Sequence, residues 1–394
     1  MPDPDVTTPP TQGPVARGAR ITSLDAIRGV AILGILPMNA LAFGLDRAAY
    51  FNVSADGISQ PLDWVIGVLT MVFIDQKMMA LFSLLFGVGV VLFADRAQAN
   101  GRRVVGLSLW RFSLLFACGV VHGALWIGDV LALYAMCAPA VLLVRRLPIA
   151  LLVAIGTALS LIGTASAPWV QDAVGSSPAA LGEFWFANAG SMSPLVEAWF
   201  VLNAVGRALG MMLIGVALYR LGIVQGRRDD AYYRRLAVWG IGAGGAVTAA
   251  GCAWHIWTDW SAEYAIIGTV PTGLGMIPMA LGSMALIILW SRSGSRPVER
   301  LRDVGRMALT NYLTQTVVGL ATLGGVFGAA DLTRSGIAVW ILCVWAAQVG
   351  WSSWWLRRFR YGPFEWAWRC ATYRSWQPLR TPADLAPSAL RASR

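Results

Sequence analysis

The stretch Ala198-Trp-Phe-Val-Leu-Asn-Ala-Val-Gly-Arg-Ala-Leu-Gly-Met-Met-Leu-Ile-Gly-Val-Ala-Leu-Tyr219 decides how this chain is read. It runs for the roughly 20 residues that a helix needs to cross a hydrocarbon layer about 30 Å thick, with Arg207 as its one charge. No water satisfies backbone amides in lipid, so such a segment takes the form that bonds its own backbone, a helix. Segments of the same kind recur at 26–45, 77–94, 104–124, 130–144, 149–167, 236–256, 264–290, 307–328 and 336–356. Composition agrees: 57% of the 394 residues are hydrophobic and 13% charged, more apolar surface than one soluble core of this length hides. The predicted class is an all-α, polytopic transmembrane helix bundle of about ten spans.

The connections between these segments orient them. One alternate set carries Arg96, Arg102 and Arg103; Arg145 and Arg146; Arg227, Arg228, Arg234 and Arg235; and Arg292, Arg296, Arg300 and Arg302. The other set is poor in arginine and holds Asp46, Asp56, Asp129, Asp172, Glu183, Glu197, Asp259 and Glu263. Arginine excess marks the cytoplasmic side, so both chain ends are expected in the cytoplasm. The polar, proline-rich stretch 1–23 predicts a disordered tail with none of the features of a cleaved signal peptide. Residues 24–356 form the predicted bundle, and 357–394 a basic C-terminal tail. The segment 62–76 either extends the second span or makes a short re-entrant helix ending at Asp75, Gln76 and Lys77. Residues 168–197, with Trp169, Phe184, Trp185 and Phe186, predict an external interfacial loop or amphipathic lid. The five cysteines show no paired spacing and read as small buried apolar residues.

A net charge of +10 raises the question of nucleic acid, but arginines set between apolar runs are explained by topology, and nucleic acid is not an expected partner. The glycines form no phosphate loop with Lys and Ser/Thr, and neither cysteine nor histidine has metal-ligand spacing. What remains is a small set of polar side chains at membrane depth, each costly without a partner or water. Arg207 sits mid-span with Asn203 one turn earlier: it either bonds backbone carbonyls or holds an anionic or carbonyl group in a cavity. His122 precedes Asp129 in Gly128-Asp-Val-Leu-Ala-Leu-Tyr134-Ala, and a bend at Gly123 or Gly128 would bring imidazole and carboxylate together as an oriented base. His255, among Trp254, Trp257 and Trp260, reads as part of an aromatic belt with Asp259 as a surface partner. Lys77, the one lysine, either snorkels to headgroups or pairs with Asp75 at the outer mouth of a cavity. Asp25 and Arg28 open the first span, where Asp25 also suits the helix dipole. Asn39, Asn311, Tyr312 and Gln315 need partners inside the bundle, which a shared pocket would supply.

These residues also sit in recognisable motifs. Arg20-Ile-Thr-Ser-Leu-Asp-Ala-Ile-Arg-Gly29, Phe82-Ser-Leu-Leu-Phe-Gly-Val-Gly89, Gly128-Asp-Val-Leu-Ala-Leu-Tyr-Ala135, Gly305-Arg-Met-Ala-Leu-Thr-Asn-Tyr-Leu-Thr-Gln315 and Gly362-Pro-Phe-Glu-Trp-Ala-Trp-Arg369 resemble, in order, the YeiB-like bacterial membrane proteins. The Leu-Asp-x-x-Arg-Gly opening is similar to that of membrane acyltransferases of the heparan glucosaminide N-acetyltransferase and acyltransferase-3 type. That resemblance implies an acyl group taken from cytosolic acyl-CoA or acetyl-CoA and passed to a hydroxyl or amine on the outer side. His122 would then be the catalytic histidine, with Asp129 orienting it and Arg207 or Asn311 stabilising the oxyanion. Asp25, Arg28, Asn39, Lys77, Tyr134, Asn311 and Gln315 are the candidates for substrate contact. The competing expectation is a transporter or flippase, against which the absence of a repeat between the two halves counts. Expected partners are membrane lipid, the acyl donor, an acceptor and a second copy of the chain.

Overall fold

The computed structural model describes residues 21–327 and 332–380. The tail expected over 1–23 lies outside the described residues except for its last three, and so do 381–394. Among the described residues no sheet forms, and one isolated bridge pairs Phe359 with Arg380. The helices run α1 (Thr22–Gly44), α2 (Pro61–Phe73), α3 (Lys77–Ala99), α4 (Val104–Leu125), α5 (Leu131–Val144), α6 (Ile149–Ser160), α7 (Ile162–Val174) and the single turn α8 (Pro178–Leu181). They continue as α9 (Pro194–Arg220), α10 (Asp230–Trp257), α11 (Val270–Ser291), α12 (Arg296–Arg306), α13 (Ala308–Ala321), α14 (Arg334–Leu356) and α15 (Pro363–Tyr373). The protein is an all-α polytopic bundle, in which eight helical segments among the described residues are long and apolar enough to cross a membrane. The other two predicted spans are shorter. Both α5 and α13 have 14 residues, about 21 Å of helix, and α13 runs on into a π-helical turn at Thr322–Val326.

Burial separates centre from rim. The apolar window of α1 is 72% buried within the protein and that of α9 67%, against 22% for α4 and for α14. Helices α3 and α9 approach backbone to backbone, because a Cβ at Gly87 would collide with the Met212 carbonyl and one at Gly215 with that of Leu84. Lipid supplies no hydrophobic drive between helices, so such close approach of small residues is what holds two spans together. The outer faces stay apolar: Val121, Ile127, Val238, Trp239, Trp257 and Leu143 are all exposed. Cys343 is exposed too and Cys118 half-buried, so burial does not account for every cysteine; all five are free thiols.

Contacts sort the connections into two ends. Arg146 bonds Gln98, Ser23 bonds the Val224 carbonyl, Arg292 pairs with Asp230 and bonds the Arg228 carbonyl, and Arg306 reaches the Arg360 carbonyl. The arginine-rich connections thus gather at one end. At the other, Arg47 pairs with Glu183 at 2.6 Å, the Asn188 amide donates to Asp46, and the indole of Trp185 donates to the Trp260 carbonyl. The segment expected to be an external interfacial loop or an amphipathic lid packs as a cap: Phe184 and Trp185 are buried against Phe51, Trp199 and Trp260. Trp169 alone of that aromatic set is strongly exposed.

The ambiguous segment is a helix in its own right. Asp63 fixes its start by accepting from the Ser59 and Gln60 amides, and it also takes the Ser335 amide at the head of α14. Helix α2 then stops, and the chain turns through Gln76 at φ +61° before α3 begins. Its 13 residues make about 20 Å of helix, short of a full crossing. The C-terminal segment is likewise more than a tail, since α15 folds back beneath the bundle, with the Trp110 indole donating to the Ala371 carbonyl.

Candidate functional site

At the arginine-rich end a cavity of about 510 Å³ opens between α1, α3, α4, α5, α13 and α15. Its charged wall includes Asp25, Arg28, Arg96, Arg102, Arg111 and Arg369. Arg28 is held by Asp25 at 3.1 Å. Arg111 lies over the Phe93 ring at 4.4 Å and near Trp368 at 5.8 Å, Arg102 over Tyr373 at 5.2 Å, and Arg369 over Tyr361 at 4.4 Å. None of these last three makes an ion pair among the described residues. Guanidiniums stacked on rings keep their forked donors directed sideways, free to take an anion. Deeper in, Phe82, Phe86, Val90 and Leu115 make the wall apolar, and Tyr134 and Tyr312 close it.

Behind Tyr312 stands His122, buried, with Nδ1 2.8 Å from Asp129 Oδ1. Helix α4 ends at Leu125, the chain leaves extended through Trp126, and Gly128 lets it turn back. Asp129 then does two things at once, its second oxygen accepting from the Ala132 amide at 2.9 Å at the head of α5. The imidazole sits 5.1 Å from the Tyr312 ring and 6.2 Å from that of Trp126, and its Nε2 has no hydrogen-bond partner. His122 is not itself on the cavity wall; the Tyr312 side chain separates the two. The Tyr134 hydroxyl bonds Ser83 at 2.7 Å.

The candidates named from sequence therefore fall into three groups. Asp25, Arg28 and Tyr134 line the cavity, with His122 and Asp129 one layer behind it. Asn311 and Gln315 instead stitch helices together: Asn311 Nδ2 donates to Ser352 and to the Val304 carbonyl, Gln315 Nε2 to Gln348 and to the Ile32 carbonyl, and Gln348 to the Asn311 carbonyl. They share α13 with Tyr312 but not its cavity-facing side. Asn39 is buried in α1, also off the cavity wall. Lys77 and Arg207 form the third group. Lys77 does not snorkel: it is fully buried and donates to the Met71 carbonyl at 2.8 Å. Asp75 is the carboxylate whose charge acts on both Lys77 and Arg207. His255 likewise departs from expectation. It is buried, its ring stacked on Trp260 at 4.9 Å, and no pair with Asp259 forms.

Sequence reading passed over Arg111, although the argument that singled out Arg207 applies to it, an arginine within the first two turns of an apolar span. It also gave Glu365 no role. That carboxylate accepts from the Leu309 and Thr310 amides at 2.7 and 3.1 Å and from the Thr310 hydroxyl at 2.6 Å, so α15 caps the first turn of α13. Burial raises the Glu365 carboxyl above its ordinary range, and those hydrogen bonds oppose the rise.

Fold and site together define a multi-pass helical membrane protein with an arginine-mouthed internal cavity. The family model described as "Protein of unknown function (DUF418)" matches residues 218–375. The protein YeiB of Escherichia coli (strain K12), described as uncharacterized, is 34% identical, the match covering 91% of this chain and 98% of that one. YxaH of Bacillus subtilis (strain 168), also described as uncharacterized, is 30% identical over 93% of this chain and 97% of its own. An uncharacterized 39.9 kDa protein from the amylase 3' region of Bacillus acidopullulyticus is 26% identical over 93% and 97%. This chain belongs to the YeiB-like family. No solved structure matches it.

Proposed function

We propose that this protein is an acyltransferase of the bacterial inner membrane, with ten spans and both ends in the cytoplasm, that moves an acyl group from acyl-CoA, acetyl-CoA included, to a hydroxyl or amine reached from the outer side. The observation that carries this reading is the His122–Asp129 pair set against the closed end of an arginine-mouthed cavity. By the positive-inside rule that mouth faces the cytosol, where acyl-CoA is found. Arg102, Arg111 and Arg369 suit phosphate oxygens, and the aromatic wall beyond them suits an acyl chain.

In this reading Asp129 holds the Nδ1 proton, so that Nε2 carries the basic lone pair. When Tyr312 turns aside, Nε2 takes the acceptor's proton as its oxygen or nitrogen bonds the thioester carbonyl carbon. The carbon–sulfur bond breaks, and the departing thiolate takes the proton back from the imidazolium. Tyr134 and Tyr312, the hydroxyl-bearing side chains at that end, replace Arg207 and Asn311 as candidates to steady the oxyanion.

The test is acyl-CoA binding and transfer by purified protein. His122→Ala should bind the thioester like wild type and lose transfer on the order of 100-fold or more. Arg111→Gln should weaken binding about tenfold, near 1.4 kcal/mol. An absence of thioester binding, or turnover indifferent to His122, overturns the reading. One feature favours the second reading, solute transport: the helix broken at Asp75–Lys77, a form that transporters use at substrate and ion sites. Uptake into proteoliposomes without thioester binding would decide for it.

A further inference from the structure

We infer that Gly89 marks the subsite through which the pantetheine arm of the donor crosses the cavity, and that the missing side chain there sets how tightly the donor binds. This subsite presupposes the acyl-CoA reading and lies between the mouth arginines and the tyrosines at the closed end.

The motif Phe82-Ser-Leu-Leu-Phe-Gly-Val-Gly89 divides between two faces of α3. One face packs on α9, where Gly87 meets the Met212 carbonyl and the Leu84 carbonyl meets Gly215. The other lines the cavity with Phe82, Phe86 and Gly89, and continues through Phe93, Arg96 and Asn100. Spacings of three and four residues put these side chains on one stripe of the helix. Gly89 sits mid-stripe and is its one member without a side chain.

Glycine is a weak helix former, so a glycine inside a span calls for a reason. In a membrane the usual one is close helix approach, and it explains the neighbours. Gly305, the other glycine on the cavity wall, would drive a Cβ into the Asp25 carbonyl of α1. At Gly89 no such contact exists: among the described residues, no atom outside its own stretch of helix lies within 4 Å of where a Cβ would stand. Its space opens into the cavity and not onto another helix. A bared backbone is what glycine provides where a ligand must come close.

Depth says which part of the ligand this is. Arg111 lies over the Phe93 ring at 4.4 Å, on the mouth side of Gly89. The Tyr134 ring is 5.1 Å from that of Phe86 and 5.9 Å from that of Phe82, on the deep side. From Phe93 to Phe82 the helix rises about 16 Å. The arm of CoA between diphosphate and sulfur has as many bonds as about four residues of backbone, and extends roughly 14 Å. A diphosphate held at Arg111 thus sends its thioester to the tyrosines in front of His122, with the arm passing Gly89. Phe86 and Phe93 flank the gap, an apolar setting for the two methyl groups that the arm carries.

The experiment is calorimetric binding of acetyl-CoA to purified wild type, Gly89→Ala and Gly89→Leu, with the thermal midpoint of each. Because the added atoms meet open space, neither substitution should lower the midpoint, whereas Gly87→Ala, driven into the Met212 carbonyl, should lower it. Affinity should fall severalfold in Gly89→Ala and on the order of tenfold to a hundredfold in Gly89→Leu. Adenosine 3',5'-bisphosphate, which has the phosphates but no arm, should bind wild type and both Gly89 variants alike. No binding of acetyl-CoA to wild type removes the acyl-CoA reading and this subsite together. Wild-type binding that Gly89→Leu leaves unchanged overturns the subsite alone, and so does a loss of affinity that comes with a lower midpoint or is shared equally by the bisphosphate.

Discussion

The two histidine regions invite comparison, because at the level of sequence they look alike: an imidazole near the end of an apolar helix, tryptophans close by, an aspartate a few residues on. The structure treats them oppositely. After His255 the chain winds left-handed through Asp259 and Trp260, at φ +49° and +53°, which folds Trp260 back over the imidazole and leaves Asp259 out of its reach. After His122 the chain leaves extended, turns at Gly128 and returns Asp129 to within 2.8 Å of Nδ1. The shorter spacing yields no pair and the longer one does. What a histidine at a helix end meets depends on how the helix terminates, and the number of intervening residues is a poor guide to it. One imidazole is thereby packed between rings and the other is held by a carboxylate, while each keeps one buried nitrogen without a hydrogen-bond partner.

Substitutions can break this contrast. The largest expected effect is at Asp129→Asn, which keeps the shape but not the tautomer; transfer should fall on the order of 100-fold or more with acyl-CoA binding retained. Full turnover in that variant would reduce the pair to a structural contact. His255→Ala should do the reverse, costing roughly 2–4 kcal/mol of stability by opening a space between Trp185 and Trp260, with turnover per folded molecule near wild type. A loss of turnover without a loss of stability would erase the distinction between the two histidines.

A smaller effect sharpens the cavity side of the comparison. Because the folded Glu365 carboxyl sits above its ordinary value of 4.5, its contribution to stability is complete below that pH and declines as pH rises through the raised value. Glu365→Gln keeps an acceptor for the Leu309 amide without the charge. The stability of wild type relative to this variant should therefore fall with rising pH. A difference that grows with pH would mean that the charged form is the one α13 prefers.

The bundle was legible because its cause is local. Long apolar runs and alternating arginines are properties of the linear chain, and lipid leaves a helix as the one answer to such a run. Even so, α5 and α13, both expected from their apolar runs, are shorter than a full crossing, and the turn at Gln76 decided between the two readings of 62–76, since a chain buried among other helices need not cross in one piece. For the site, sequence could say which polar residues were costly. It could not say which of them met. Asn311 and Tyr312 are neighbours on one helix, yet one is spent on holding α14 and the other faces the cavity, because adjacent residues on a helix point about 100° apart.

What the sequence determined by itself is the solvent this protein lives in, the form its backbone takes there, and the end at which its cations gather. Tertiary structure alone decided that Arg111 and Arg369, far apart in the chain, share a cavity, that α15 folds back to cap α13, and that Arg207 belongs with Asp75 and not with His122. The reason is physical. Transfer free energy acts on each segment separately, whereas a polar group at membrane depth is satisfied by whichever helix packs against it, and that depends on every other helix in the bundle.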